Sequence, residues 1–196
     1  MPKRYIWAVR LGRKARKLTG ERVELRRHRR ENYSFYREWY GDGEVWRLTS
    51  WMAAPMEPAG VDRLFDEREM SMSDDSFAIH RIGERAPLGV ISLMNISESN
   101  GSADLSVIIG PEEARSQGYG PEAIGLLLDY GFERLGLGRV GLSVFEFNEA
   151  AISAYERLGF RKEGRLRQAV ERNGVLYDAL LMSLLRSEWN GRYGTG

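Results

Sequence analysis

The chain has 196 residues, 42% of them hydrophobic and 11% aromatic, and a formal net charge of +1, the profile of one globular domain large enough to bury a core. Cysteine is absent and histidine occurs twice, as His28 and His80, which excludes disulfides, thiolate metal sites, a cysteine nucleophile and a histidine-rich metal centre. No apolar run nears the roughly 18 residues that span a bilayer, and the basic N-terminus lacks the apolar core of a signal peptide; a cytoplasmic protein without a bound metal or a membrane partner is expected.

Charge is unevenly spread. Residues 1–30 carry twelve Lys/Arg and two Asp/Glu, an arm able to contact nucleic acid or a ribosome, or simply to stay solvated or pack on a second copy in a homodimer. Residues 1–18 show no clear period and read as a basic extension. Residues 19–189 read as one domain without repeat or linker, and 190–196 as a flexible tail.

Within the domain, "ERVELR" from Glu21 alternates as a strand. "RENYSFYREWYGDGEVWRLTSW" has helical spacing until Gly41 and Gly43 stop it, and it contains seven aromatics between Tyr33 and Trp51. "AGVDRLFDEREM" follows as a short amphipathic helix. "SFAIHRI" and "APLGVISLMNI" are the second and third strands. "ADLSVIIG" is the fourth, with Asp104, Ser106 and Ile108 on one face and Leu105, Val107 and Ile109 on the other. Next comes a helix with Ile124, Leu127, Leu128 and Leu135 on one stripe, ending near Gly136. "RVGLSVFEF" is a fifth strand, and "NEAAISAYERLGF" a helix with Asn148 at its N-cap and Gly159 just past its end. A hairpin around Asn173-Gly174 closes the domain. This order predicts a mixed α/β fold, a mostly antiparallel sheet flanked by helices with one helical crossover.

The segment "RSQGYGPEA", residues 115–123, joins the fourth strand to the helix. Unpaired N–H groups at a helix N-terminus, aided by aligned peptide dipoles, favour an anion. Gly118 and Gly120 allow close backbone approach and positive φ where needed. Pro121 suits the first helical position, and Arg115 adds a planar cation. The Lys-Ser/Thr of a nucleotide-triphosphate loop is absent, and the dinucleotide fingerprint does not fit. A plain helix-capping loop is the alternative for such a turn taken alone.

Arg115, Gly118 and Gly120 form Arg-x-x-Gly-x-Gly, and "VFEFNEAAISAYERLGF" follows with Asn148 and Tyr155 on one helix face. On these residues the chain resembles the GCN5-related N-acetyltransferase (GNAT) family. "LTGERVELR" and "LYDALLMSLLRSEW" are similar to its branch that modifies ribosomal-protein N-termini and related amines. The resemblance covers roughly residues 19–189. It implies the acyl-CoA N-acyltransferase fold and an acetyl-CoA co-substrate. The pantetheine arm would pair beside Val107, Ile108 and Ile109, and the pyrophosphate would lie on Arg115, Ser116, Gln117, Gly118, Tyr119 and Gly120. Asn148, Ala151 and Tyr155 would line the cofactor from the later helix. The N–H of Ile108 or Ile109 would polarise the thioester carbonyl as an oxyanion hole does.

Tyr155 is the family-matched acid for the leaving thiolate; a core aromatic is the alternative. Asn148 is equally explained as a cap. Asp104 and Ser106 are the candidates for receiving the acceptor's proton, against a role as sheet-surface residues, and His80 reads as structural. The expected activity is acetyl transfer to a primary amine, a protein N-terminus or a small amine, by direct transfer in a ternary complex. Residues 42–75 carry nine Asp/Glu and three Arg, which favours a cationic acceptor or forms a solvated acidic face. The competing readings are transfer of another acyl group, a polyamine or antibiotic as acceptor, a CoA sensor on a degenerate fold, and a nucleic-acid-binding module working through the basic arm.

Overall fold

The computed structural model describes residues 15–191; most of the basic arm and residues 192–196 of the tail lie outside the described residues. One eight-stranded sheet runs in the order β1-β2-β3-β4-β5-β6-β8-β7. Its strands are β1 (Lys17–Thr19), β2 (Val23–Arg26), β3 (Asp75–Arg81), β4 (Pro87–Ser97), β5 (Ser102–Ile109), β6 (Arg139–Phe145), β7 (Arg161–Arg172) and β8 (Val175–Leu185). Every neighbouring pair is antiparallel except β5–β6. The predicted mixed α/β architecture is observed.

Several elements differ from the sequence expectation. Pairing starts at Lys17, with Ala15 already buried, so the sheet reaches into the segment expected as an extension. The long aromatic helix is two helices, α1 (Tyr33–Gly41) and α2 (Gly43–Thr49), because Asp42 leaves the helical region and caps α2 by accepting from the Val45 N–H at 2.7 Å. β7 begins at Arg161, ahead of the hairpin segment read from alternation, since its exposed, arginine-rich first half shows no apolar period. The hairpin turn itself is as expected, with Asn173 and Gly174 both at positive φ.

The two faces of the sheet are covered differently. Helices α1 and α3 (Pro58–Met70) pack Tyr33, Tyr36, Trp39, Val61 and Phe65 against Ala78, Val90 and Ile108. The opposite face holds the main core under α4 (Tyr119–Asp129) and α5 (Glu149–Leu158). Helix α4 is buried on all sides from Glu122 to Asp129 rather than along one stripe, and it runs into a π-helical turn at Tyr130–Arg134.

A buried polar chain pins α1 to the sheet. His28 Nδ1 lies 3.0 Å from the Tyr36 hydroxyl, His28 Nε2 2.8 Å from Ser76 Oγ, and Ser76 Oγ 2.7 Å from Ser92 Oγ. Burial, aided by the nearby Arg68 and Arg27 cations, holds the His28 pKa down at about 3. The unfolded chain therefore binds a proton at this position below about pH 6.5 that the folded chain refuses.

The feature that matters for function lies between β5 and β6. Their parallel pairing covers only Ser102–Asp104 against Arg139–Gly141. Beyond it β5 stays with β4 as far as Ile109, and β6 stays with β8 as far as Phe145. The sheet forks.

Gly110 stands at the tip of the β5 arm, where an added Cβ would fall inside the Trp39 indole of α1. Gly110→Ala is expected to lose about 1–3 kcal/mol of stability by overpacking; urea unfolding checks this, and an unchanged midpoint would show that Trp39 does not fix the arm. His28→Gln is expected to weaken the fall in stability seen as pH drops from about 6.5 toward 3, in urea titrations at stepped pH.

Candidate active site

The loop that leaves β5 is shaped by its own backbone. Ser116 and Gly118 both take positive φ, 58° and 84°. The N–H groups of residues 116–120 find no protein acceptor among the described residues, and Pro121 has none to offer. Five backbone donors are thus grouped at the N-terminus of the eleven-residue α4, as an anion site requires. Only the first glycine is conformationally obligatory. Gly120 has no positive φ, and a Cβ there would meet Ile109 at an ordinary 3.6 Å.

The side chains of the turn are arranged differently from the motif expectation. Arg115 folds back on the end of β5, donating from Nε to the Ile109 carbonyl at 3.3 Å and from Nη2 to the Gly110 carbonyl at 2.7 Å. Arg22, just before β2, comes to the turn instead and donates from Nη1 to the Gln117 carbonyl at 3.1 Å. Its Nε donates at 3.0 Å to Glu122 Oε2, while Glu122 Oε1 accepts from the Arg22 and Val23 N–H groups at 2.8 and 3.2 Å. Sequence reading missed both residues; Arg22 looked like any charged position of an alternating strand, and Glu122 like a helix-start acid.

The fork opens beside this turn. Gly110 N–H donates to the Leu88 carbonyl at 2.9 Å, which fixes the phase of the β4–β5 ladder. Asp104, Ser106 and Ile108 exchange hydrogen bonds with β4, and by alternation Leu105, Val107 and Ile109 direct their N–H and C=O groups toward β6. Of the two N–H groups expected as candidates, that of Ile108 is directed to β4 and that of Ile109 toward the fork. Val107, Ile109, Ala151, Ile152 and Tyr155 are all half-buried at the margin of the main core, as side chains around an open slot should be.

Tyr155 projects from α5 with its ring centroid 5.8 Å from that of Phe160. No hydrogen-bond partner holds its hydroxyl among the described residues, and burial alone pushes its pKa up to about 12. The phenol is therefore protonated throughout the physiological range.

Asp104 and Ser106 lie on the other face of β5, with Ile108, as alternation predicts. Asp104 is exposed and accepts a 3.0 Å hydrogen bond from Asn95 Nδ2; Asn95 stands in a β4 irregularity with φ at 52°. Ser106 is half-buried opposite Ser92. Asn148 does cap α5, accepting from the Ala151 N–H at 3.3 Å, and its amide donates to the Leu48 carbonyl of α2 at 3.2 Å. Its side chain ties the two sides of the cleft together. Arg172 of β7 adds a second tie. Its guanidinium stacks on Trp46 at 4.3 Å, donates to the Arg47 carbonyl at 3.2 Å and bonds the Ser50 carbonyl at the end of α2.

Residues 22–161 match the family model described as an acetyltransferase (GNAT) domain. The chain belongs to the GNAT acetyltransferase family. It is 30% identical over 174 residues to spermidine N(1)-acetyltransferase of Escherichia coli K12, across 88% of this chain and 91% of that protein. It is 36% identical over 150 residues to a Bacillus subtilis protein named "Putative ribosomal N-acetyltransferase YdaF", across 74% and 81%. The fold is shared with a crystal structure of spermidine N-acetyltransferase from Vibrio cholerae in complex with CoA and spermine, at a TM-score of 0.78 and 23% identity, across 85% and 97%. The protein is an N-acetyltransferase with acetyl-CoA as co-substrate. No helix among the described residues is long and apolar enough to cross a membrane.

The two glycines of the turn make separable predictions. Gly118→Val should both destabilise the fold and abolish CoA binding, because its φ is left-handed and a Cβ would lie 2.9 Å from Arg22 Nη2. Gly120→Val should fold with near wild-type Tm and lose CoA affinity by obstruction alone. Calorimetry with CoA, paired with thermal melts, checks both.

Proposed function

We propose that this acetyltransferase moves the acetyl group of acetyl-CoA directly to a primary amine of a small aliphatic polyamine within a ternary complex. The observation that carries the acceptor is a cavity of about 440 Å³ between α3 and β4, lined by Leu64, Met70 and Met94 together with Glu67 and Asp74. It opens one strand away from Asp104, which pairs with Met94. Apolar walls with carboxylates at their edge suit a cationic alkyl chain, and the field of residues 42–75 would draw such a cation in. Arg68, the one cation of the lining, is turned to the Tyr40 hydroxyl at 3.1 Å. A protein N-terminus is the second reading, favoured by the similarity to the ribosomal-type relative.

The chemistry follows from the two faces of β5. In this reading Val107 and Ile109 hold the pantetheine amide like an added strand, and residues 116–120 hold the diphosphate. With the diphosphate at the Ile109 end of β5, the arm runs back along the strand and brings the thioester toward Leu105 and Asp104. Asp104, on the α3 face, receives the proton of the attacking amine directly or through water. Tyr155, on the α5 face, donates a hydrogen bond to sulfur as the C–S bond breaks. A phenol this weakly acidic acts by stabilising the departing thiolate more than by emptying its proton onto it. The amine adds to the carbonyl carbon, its proton passes to Asp104, and collapse of the tetrahedral adduct breaks the C–S bond and releases the thiolate beside Tyr155.

Tyr155→Phe keeps the ring and should lower kcat at least ten-fold, with CoA affinity and Tm unchanged; wild-type kcat with chemistry rate-limiting would remove the assignment. Asp104→Asn should lower kcat by a similar factor and likewise leave CoA binding intact. The acceptor is tested by CoA release with spermidine, spermine, an aminoglycoside and a peptide bearing a free N-terminus. A polyamine should give the largest kcat/KM; the peptide ranking first would establish the second reading.

A further inference from the structure

The phosphate turn carries an apparent contradiction. Glu122, almost fully buried, sits in the first turn of α4, where five free N–H groups would receive an anion. An uncompensated carboxylate there would oppose the ligand that the backbone is built to attract. Arg115 cannot compensate it where it stands, since its guanidinium is committed to the Ile109 and Gly110 carbonyls.

We propose that Arg22 is the side-chain cation that meets a phosphate group of bound CoA, held in place for that purpose by Glu122. The proposal rests on the CoA-binding reading of the turn. Three contacts carry it. The Nε–Glu122 and Nη1–Gln117 bonds fix the guanidinium plane, so little side-chain entropy is lost on binding. Nη2 is left over: it makes no hydrogen bond to a described residue and lies over Gly118, 2.9 Å from where a Cβ would project. The side chain is half exposed, at 52%.

A second guanidinium strengthens the site. Arg22 and Arg81 lie 5.4 and 5.2 Å from the centroid of the Tyr119 ring. Arg81 bonds the Tyr119 hydroxyl and makes 3.5 Å contacts from Nη1 to Glu84, and its Nε is buried without an acceptor. Two guanidiniums thus flank the aromatic residue that opens α4, beside a row of free N–H groups, and Arg22 is the one with an unused Nη2. CoA offers two phosphate chemistries to such a site, its diphosphate and its ribose 3′-phosphate.

Calorimetry with CoA, dephospho-CoA and pantetheine on the wild type, Arg22→Gln and the Arg22→Gln/Glu122→Gln double variant tests this. Arg22→Gln should bind CoA at least ten-fold more weakly, with pantetheine affinity unchanged. A loss shared by CoA and dephospho-CoA assigns Arg22 to the diphosphate, and a loss confined to CoA assigns it to the 3′-phosphate. The double variant should recover part of the loss, because it removes the buried carboxylate along with its partner. It also serves if the single variant does not fold, since it can then be compared with Glu122→Gln alone. Wild-type CoA affinity in a folded Arg22→Gln protein overturns the proposal, as does an equal loss for pantetheine, which would make Arg22 a shaper of the slot. Failure of the wild type itself to bind CoA would instead overturn the underlying reading of the turn.

Discussion

The pairing between β5 and β6 stops after three residues, and the rest of the site depends on that. Had the two strands stayed paired, Leu105, Val107 and Ile109 would have spent their N–H and C=O groups on β6, and the space beside Tyr155 would be filled. Because they part at Asp104 and Gly141, β5 keeps one edge satisfied by β4 and presents the other to a slot. An exposed strand edge is a standing invitation to another extended chain, and a ligand with its own amides, such as pantetheine, is one.

A fork inside a sheet must be held open, since closing it would satisfy backbone groups at once. Each arm is anchored from outside. Gly110 lets Trp39 of α1 lie against the tip of β5, and the Tyr36–His28–Ser76–Ser92 chain locks α1 to β3 and β4. On the other arm, β8 accompanies β6 along its whole length. Asn148 and Arg172 then reach across to the carbonyl end of α2. A buried ion pair of Arg27 with Asp75 at 3.0 Å, reinforced by the Tyr130 hydroxyl donating to the same carboxylate at 2.7 Å, secures the strands that carry α4. The anion turn is thereby delivered to the mouth of the slot.

Much of this was legible from local chemistry. Alternation in "ADLSVIIG" sorted Asp104, Ser106 and Ile108 from Leu105, Val107 and Ile109, because a strand has a period of two whatever it packs against. The caps at Asn148 and Gly159 and the Asn173-Gly174 turn were readable for the same reason: each is decided within a few residues. What was not legible depends on contacts distant in sequence. Nothing near Arg22 announces Glu122, and nothing near Arg115 shows that its guanidinium turns back to two carbonyls of its own strand end. The split of the aromatic helix at Asp42 and the early start of β7 were missed because propensity there is overruled by capping and by pairing with β8. The fork itself is invisible to pattern, since β5 and β6 each alternate normally.

In the proposed arrangement the free edge of β5 and the turn before α4 form one continuous cofactor site. Residue-resolved amide hydrogen exchange with and without CoA tests it directly. Bound CoA should add protection at the Val107 and Ile109 amides and at residues 116–120, with little change at Ser106 and Ile108, whose amides already bond β4. Protection at the turn without protection on β5, or equal protection of both alternating sets, would contradict a pantetheine paired in the fork.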